Sequence, residues 1–275
     1  MAKKPRATQP PASAAEDERV TTLELFFDLV FVFTLTQLSA RLHESLSWES
    51  LIQSFLIFII LFWMYGGYVW LTNSVPPVTP VRQLLLIAGM AAFLICALAI
   101  PNSFQATGVI FGVGYLIVII VHGFMYMQAV GWKVGRFVPL NFVSVAFVIA
   151  AGFTDGFIQY FLWILAILCH VVTSLLSSGI KFDIKVGHFV ERHGLLLLVA
   201  LGESIIAIGA GIQNLSLQFI LAAVMGLILT AGLWWIYFAR DEEKARDTMH
   251  TRATSDRLRQ ALGAYFYAFI PMLFG

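Results

Sequence analysis

The sequence predicts an all-α membrane protein, a transmembrane bundle of about eight complete helices and a partial ninth, with the N-terminus in the cytoplasm. The first observation is composition: 59% of the residues are hydrophobic and 12% are charged, which leaves too few polar residues to cover a water-soluble core of this size. The second is a succession of apolar runs of about 20 residues, the length that a helix needs to cross a bilayer. The third is that basic residues collect on one side of the predicted helices.

Helix 1 is predicted around residues 23–39, LELFFDLVFVFTLTQLS, where Thr21 or Thr22 can cap the helix and Glu24 lies in its first turn. Segments rich in Pro, Gly, Asn and Ser separate the later helices. The later helices are predicted at 51–72, 82–100, 107–129, 137–153, 157–178, 189–211 and 217–239. The fifth of the eight is short, and we expect it to tilt little or to be partly re-entrant.

The distribution of Lys and Arg between alternate loops sets the predicted orientation. With a cytoplasmic N-terminus, the opposite side carries Arg41, and Arg192 lies at the start of helix 7. The rest of the 17 basic residues fall on the cytoplasmic side: Lys3, Lys4, Arg6, Arg19, Arg82, Lys133, Arg136, Lys181, Lys185, Arg240, Lys244, Arg246, Arg252, Arg257 and Arg259. This one-sided distribution supports eight complete helices, because miscounting one helix would move every later loop to the other side.

Four segments are predicted along the chain. Residues 1–20 are rich in Pro, Ala and charge and are expected to form a disordered cytoplasmic tail. Residues 21–240 form the transmembrane domain. Residues 241–258 are expected to form a charged cytoplasmic connector, and residues 259–275 to begin a further span, which we interpret as truncated.

Composition and motifs also narrow the classes of function. Acids accompany the bases after helix 8, so nucleic acid is not an expected partner. Cys96 and Cys169 lie in apolar runs and are expected to be packing residues. Gly108 and Gly112 have the GxxxG spacing of closely packed helices, and Ile206 stands where a nucleophile elbow requires its second glycine. We therefore expect no enzyme activity, no cofactor and no metal.

One side of helix 1 is polar along its length. At about 100° per residue, Glu24, Asp28, Thr36, Ser39 and His43 fall within a sector of roughly 120°. In a bundle this side should face protein or water rather than lipid. For Glu24 the alternative is an interfacial carboxylate hydrated by headgroups, whereas Asp28 lies one turn deeper.

Helix 7, within HFVERHGLLLLVALGESIIAIG, has a complementary pattern. His188, Arg192 and Glu203 lie within roughly 60° of one another. Helices 1 and 7 are both predicted to start on the cytoplasmic side, so Asp28 and Arg192 should lie at similar depths. A buried ion pair between them is therefore a hypothesis that the geometry permits. The alternative is that Arg192 extends to the membrane interface.

Glu203 is predicted near the membrane midplane or beyond it, where headgroups cannot reach, so it must be protonated, paired or hydrated. Candidate neighbours on other helices are His122, His170, Asn141 and Ser144. A protonatable Glu with intramembrane histidines is typical of a proton- or cation-coupled pathway. The alternative is that Glu203 and the histidines make structural hydrogen bonds between helices.

Three segments of the chain resemble one known family. ELFFDLVFVFTLTQLS, VERHGLLLLVALGESIIAIGAG and LWWIYF at 233–238 are similar to the bacterial low temperature requirement protein A family of integral membrane proteins, and the resemblance extends over about residues 20–275. It implies a multi-span fold and a link to growth in the cold, and it implies no settled biochemical activity. Members of this family usually continue through more spans.

Two positions depart from the family pattern. Ala239 stands where the family often has Asp after the Tyr-Phe of the eighth span, and Phe269 stands where the family has a His. We therefore expect neither position to handle ions in this chain.

Two functional hypotheses follow. The first is a proton- or cation-linked transporter or channel with a polar site between helices 1 and 7, centred on Glu203. Its candidate residues are Glu203, Asp28, Glu24, Arg192, His170 and His122. The second is a non-transporting scaffold or stress-response protein in which buried charges only fix helix packing. In both hypotheses, the lipid bilayer of the inner (plasma) membrane surrounds the protein. The first hypothesis adds a proton or a small ion as a partner.

Overall fold

The structure is a computed structural model, and it describes residues 19–130, 138–177, 184–210, 216–241 and 262–274. The regular secondary structure of these residues is helical throughout. Most of the predicted tail and nearly all of the predicted connector lie outside the described residues.

Eight consecutive helices in the described ranges follow the predicted order. They are α1 (Thr22–Glu44), α2 (Trp48–Ser74), α3 (Pro80–Ala99), α4 (Gly108–Val130), α5 (Val138–Ala151), α6 (Gly156–Ser177), α7 (Val186–Ala210) and α8 (Leu217–Ile236). The 3₁₀ turn Ile100–Asn102 follows α3, the π-helical turns Tyr237–Asp241 and Leu262–Tyr267 come after α8, and α9 (Phe269–Phe274) is last. The predicted bounds of α2 to α8 differ from these by at most three residues, so the order and positions of the helices are confirmed.

Length and hydropathy identify the helices that can cross a membrane. In the part of the chain that the structure describes, seven helices are long and apolar enough to do so. α5 has 14 residues, which at 1.5 Å per residue reach only about 21 Å, less than the hydrocarbon thickness of a bilayer. The helical membrane bundle is thus confirmed, and the fifth helix is short as predicted.

A capping box starts α1. The Thr21 side chain accepts a hydrogen bond from the backbone N–H of Glu24 at 3.3 Å, and Glu24 Oε2 accepts one from the backbone N–H of Thr21 at 3.0 Å. These two bonds satisfy backbone donors that the first turn of a helix leaves unpaired. They also fix the Glu24 side chain at the positive end of the helix dipole.

Aromatic packing holds α1 between α2 and α3. Phe27 and Phe31 are buried and stack on Tyr65, while Phe27 also stacks on Tyr68. Phe93 of α3 meets both phenylalanines edge to face. Offset and edge-to-face pairs add to the gain from burial, so this part of α1 has a fixed rotation about its axis.

Arg41 fixes the other end of α1. Its Nη1 donates to the carbonyl oxygens of Ile100 at 3.1 Å and Pro101 at 2.5 Å, just after α3, and its Nη2 donates to Gln53 of α2. Carbonyls at the C-terminal end of a helix attract a cation. The basic residue that the sequence places on the non-cytoplasmic side therefore joins three segments of the bundle.

Two glycines allow α4 and α5 to approach closely. A Cβ on Gly112 would stand 2.8 Å from Cγ1 of Ile149, and one on Gly108 would stand 2.9 Å from Cα of Gly152. Both distances are shorter than van der Waals contact. The close packing predicted from the GxxxG spacing is confirmed.

The segment after the predicted connector packs back onto the bundle. Phe266 stacks on Phe62 of α2, and Phe269 meets His193 of α7 edge to face at 5.3 Å between ring centroids. Tyr265 contacts the same histidine ring at 5.0 Å. Phe269, which replaces the histidine of the family pattern, is thus an apolar packing residue beside α7.

Candidate functional site

Arg192 of α7 lies at the centre of a buried charged cluster that we define as Glu24, Asp28, His188 and Arg192. Its Nη1 donates to Glu24 Oε1 at 3.0 Å, its Nη2 to Asp28 Oδ1 at 3.1 Å, and its Nε to Asp28 Oδ1 at 3.3 Å. The three paired side chains are 0% exposed. Because Glu24 and Asp28 are four residues apart, their carboxylates share one helix face and a single guanidinium can bind both.

Helix α2 completes the surroundings of the guanidinium. The Tyr65 hydroxyl donates to Asp28 Oδ1 at 2.9 Å, and Arg192 Nη1 donates to the Thr72 hydroxyl. The Arg192 Cζ atom lies 5.6 Å from the centroid of the Phe27 ring, in cation–π contact. The guanidinium is thus held by hydrogen bonds along its edge and by an aromatic ring over its face.

His188 extends the charged cluster towards the start of α7. Its Nε2 lies 3.2 Å from Glu24 Oε2, and its Nδ1 lies 3.2 Å from Asn73 Nδ2. Asn73 of α2 also binds the backbone of Lys185, since its Nδ2 donates to the Lys185 carbonyl at 3.0 Å and its Oδ1 accepts from the Lys185 N–H at 3.1 Å. One amide therefore ties α2 to the beginning of α7.

These contacts decide between the alternatives for three residues. The hypothetical Asp28–Arg192 pair is present. Interfacial hydration of Glu24 is wrong, because its carboxylate is enclosed by Thr21, His188 and Arg192. Extension of Arg192 to the membrane interface is also wrong, because its guanidinium turns inward to two acids.

Glu203 has a different partner from the predicted ones. Thr36 Oγ1 of α1 donates to Glu203 Oε1 at 2.8 Å, and the glutamate is partly exposed. Pairing of Glu24 with Arg192 and of Thr36 with Glu203 shows that α1 and α7 run parallel, as predicted. Eleven residues separate Arg192 from Glu203, so Glu203 lies about 17 Å from Arg192 along α7.

His122 and His170, the two histidines predicted for the ion pathway, contact other residues than Glu203. His170 Nε2 lies 2.5 Å from the Tyr115 hydroxyl and 3.0 Å from Ser144 Oγ, and its ring stacks on Trp63. His122 packs against Tyr68 at 5.1 Å between ring centroids. These contacts fit a structural role for His170, in which its ring forms hydrogen bonds between helices. A place for either histidine in an ion pathway stays a prediction.

Sequence reasoning missed the polar residues of α2. Tyr65, Thr72 and Asn73 each bind a member of the charged cluster, yet none of the three is among the residues predicted for the site. Thr72 and Asn73 are adjacent polar residues near the end of an apolar helix, a pattern that could have indicated a polar contact with another helix. Their orientation towards α7 depends on the rotation of α2, which the sequence pattern does not specify.

The fold and the charged cluster define the class: a multi-pass helical membrane protein with a buried ion-pair cluster between two parallel helices. The family model described as bacterial low temperature requirement A protein (LtrA) matches residues 19–275. The chain therefore belongs to the LtrA family, as the resemblance indicated.

Among curated proteins, the chain is similar to the uncharacterized protein RA0937 of Rhizobium meliloti (strain 1021). The two are 27% identical over 281 residues, which cover 92% of this chain and 66% of that protein. The chain thus spans slightly less than two-thirds of the length of this relative. No solved structure matches the chain.

Proposed function

We propose that the protein is a proton- or cation-linked transporter or channel of the inner membrane, and that the charged cluster is its coupling site. The observation that carries this proposal is charge balance: two carboxylates, Glu24 and Asp28, face one guanidinium, and all three side chains are 0% exposed. An uncompensated negative charge in a low-dielectric interior is costly. A proton or a cation must therefore accompany the cluster, and a site that holds an exchangeable charge can couple its movement to a conformational change.

The α1–α7 interface offers a second polar position for such a charge. Glu203 and Thr36 meet on the same pair of helices, about 12 Å beyond Asp28 along α1 and about 17 Å beyond Arg192 along α7. The buried apolar residues Val32 and Leu196 lie between these positions along the two helices. Two polar positions separated by an apolar layer support a gated route rather than an open pore. On this proposal Arg192 acts as a fixed counter-charge, and the protein is not an enzyme.

Charge movement in reconstituted protein tests the proposal. Proteoliposomes adsorbed on a sensor electrode are exposed to jumps of pH, Na⁺ or K⁺. We expect a transient current from the wild type, and loss of that current in Asp28→Asn. Glu44→Gln is the matched control, since Glu44 is an exposed acid at the end of the same helix. The proposal fails if no jump produces a current above that of protein-free liposomes.

Glu203→Gln tests the second polar position. Glutamine keeps an oxygen that can accept the Thr36 hydrogen bond and removes the titratable group, so the fold should persist. We expect the dependence of the current on pH to change. If the amplitude and its pH dependence both stay as in the wild type, Glu203 is a structural residue.

The second candidate is a non-transporting scaffold in which the charged cluster fixes the packing of α1, α2 and α7. The hydrogen bonding of Arg192 and Glu24 favours it: Arg192 donates from Nε, Nη1 and Nη2, and both oxygens of Glu24 are bound. This function predicts no current for the wild type. It also predicts that Asp28→Asn, which keeps an oxygen acceptor for Arg192, folds and supports growth in the cold as the wild type does.

A further inference from the structure

We infer that the exchangeable charge is a proton and that its site is Oδ2 of Asp28. This inference rests on the proposed function and names the ion that the charged cluster handles. Its basis is the donor and acceptor pattern of the cluster, taken one titratable group at a time.

The hydrogen bonds of His188 are those of a neutral ring. Asn73 Oδ1 accepts from the Lys185 N–H and Nδ2 donates to the Lys185 carbonyl, so both ends of the amide are assigned. The Nδ2 group then also points a donor at His188 Nδ1, 3.2 Å away. Nδ1 must accept that bond, so the ring proton is on Nε2, which donates to Glu24 Oε2. His188 therefore adds no positive charge.

Glu24 has the bonding pattern of an ionised carboxylate. Oε1 accepts from Arg192 Nη1 at 3.0 Å. Oε2 accepts from the Thr21 N–H at 3.0 Å, from the Thr21 hydroxyl at 2.9 Å and from His188 Nε2 at 3.2 Å. Every partner is a donor and Oε2 accepts three bonds, which is the pattern of an ionised carboxylate. Its negative charge balances the guanidinium.

Asp28 is asymmetric. Oδ1 accepts from the Tyr65 hydroxyl and from Nε and Nη2 of Arg192. Oδ2 is buried and has no hydrogen-bond partner among the described residues. A negatively charged oxygen left unpaired in the interior is costly, whereas a proton on Oδ2 removes the charge and leaves Oδ1 as an accepting carbonyl. With Asp28 protonated, Glu24 ionised, Arg192 charged and His188 neutral, the cluster has no net charge.

The surroundings of Asp28 fit a proton better than a metal cation. Hard cations bind several oxygen ligands at once. Among the described residues, the titratable and charged groups that face Asp28 are Glu24 on its own helix, Tyr65 on α2, and Arg192 with His188 on α7. Helix α3 contributes the apolar ring of Phe93 to this region. Tyr65 and Arg192 both donate hydrogen bonds to the Asp28 carboxyl. A metal ion at this carboxyl would be repelled by the positive charge of the guanidinium.

Infrared spectroscopy of the reconstituted protein can detect the protonated carboxyl of Asp28 directly. A protonated carboxyl in a dry site has a C=O stretch well separated from carboxylate bands. We expect such a band in the wild type, shifted by isotope-labelled aspartate, lost in Asp28→Asn and kept in Glu203→Gln. It should also vanish in Glu24→Gln, because Asp28 then becomes the counter-ion of Arg192.

A wild-type spectrum without an aspartate-derived band would overturn the inference, and this result does not depend on any variant folding. Disappearance of the band on addition of Na⁺ or K⁺ at constant pH would also overturn it, in favour of a metal cation. The spectrum does not require transport. A band without any ion-driven current refutes the proposed function alone, and a current without the band refutes this inference alone.

Discussion

Arg192 illustrates how one side chain can hold two acids in the interior of a helical bundle. Its planar guanidinium offers donors in a fixed fork, and the four-residue spacing of Glu24 and Asp28 places one carboxylate on each side of that fork. The spacing and the depth of the pair could be predicted from sequence because helix geometry alone determines them. The protonation pattern could not, because it depends on Asn73 and Tyr65 of α2, whose rotation about the helix axis is set by packing.

Arg192→Gln and Asp28→Asn should differ in their effect on stability. Loss of Arg192 leaves the Glu24 carboxylate buried without its counter-charge, so we expect the free energy of unfolding to fall by about 3–5 kcal/mol. Asp28→Asn keeps an oxygen acceptor for Tyr65 and Arg192, and a protonated Asp28 makes it a change between neutral groups, so the loss should stay within about 1 kcal/mol. Unfolding in mixed micelles measures both. Equal losses would contradict an ionised Glu24 with a neutral Asp28.

The parallel pairing of α1 with α7 is the element that organises the site. Hydrophobic runs and turn residues were sufficient to predict where these helices begin and end. The distribution of Lys and Arg between alternate loops predicted that both helices start on the same side of the membrane. The partner of Glu203 was not predictable in the same way. Thr36 was recognised as part of the polar side of α1, but His122 and His170 were equally permitted neighbours until packing fixed which helices adjoin α7.

Close packing between α4 and α5 predicts that the two helices tolerate an added methyl group at some glycines and not at others. An added methyl group at Gly112 would stand 2.8 Å from Ile149, whereas one at Gly123 of the same helix meets nothing within 4 Å. Gly112→Ala should therefore lower the free energy of unfolding by about 1–3 kcal/mol through overpacking. Gly123→Ala should leave it unchanged or raise it by up to ~1 kcal/mol, because alanine favours the helix. If the two variants lose equal stability, the approach of α4 to α5 is looser than described.

At the scale of the whole molecule, composition and periodicity predicted the class of fold because a bilayer imposes helix length and apolarity on the sequence. The distribution of Lys and Arg predicted the orientation. The short α5 was visible as a short apolar run, but its place against α4 and α6 comes from tertiary packing. The family match assigns the chain to the LtrA family, and the charged cluster is the basis of the proposed function.

Orientation has its own whole-molecule test. Leu46, in the α1–α2 loop, is 88% exposed, and Val78, in the α2–α3 loop, is 65% exposed. In a chain whose Cys96 and Cys169 are replaced by Ala, a membrane-impermeant thiol reagent added to intact cells should label Leu46→Cys and not Val78→Cys. Labelling after lysis should reach both. The reverse pattern in intact cells would place the N-terminus outside the cytoplasm.

We propose that the charged cluster between α1 and α7 exchanges a charge with its surroundings. Currents after a pH jump, recorded for Asp28→Asn beside the wild type, measure that exchange. The variant should fold, as its unfolding free energy will report, and yet lose the transient current that the wild type and Glu44→Gln both produce. A folded Asp28→Asn protein with the full wild-type current and the same pH dependence would contradict the claim.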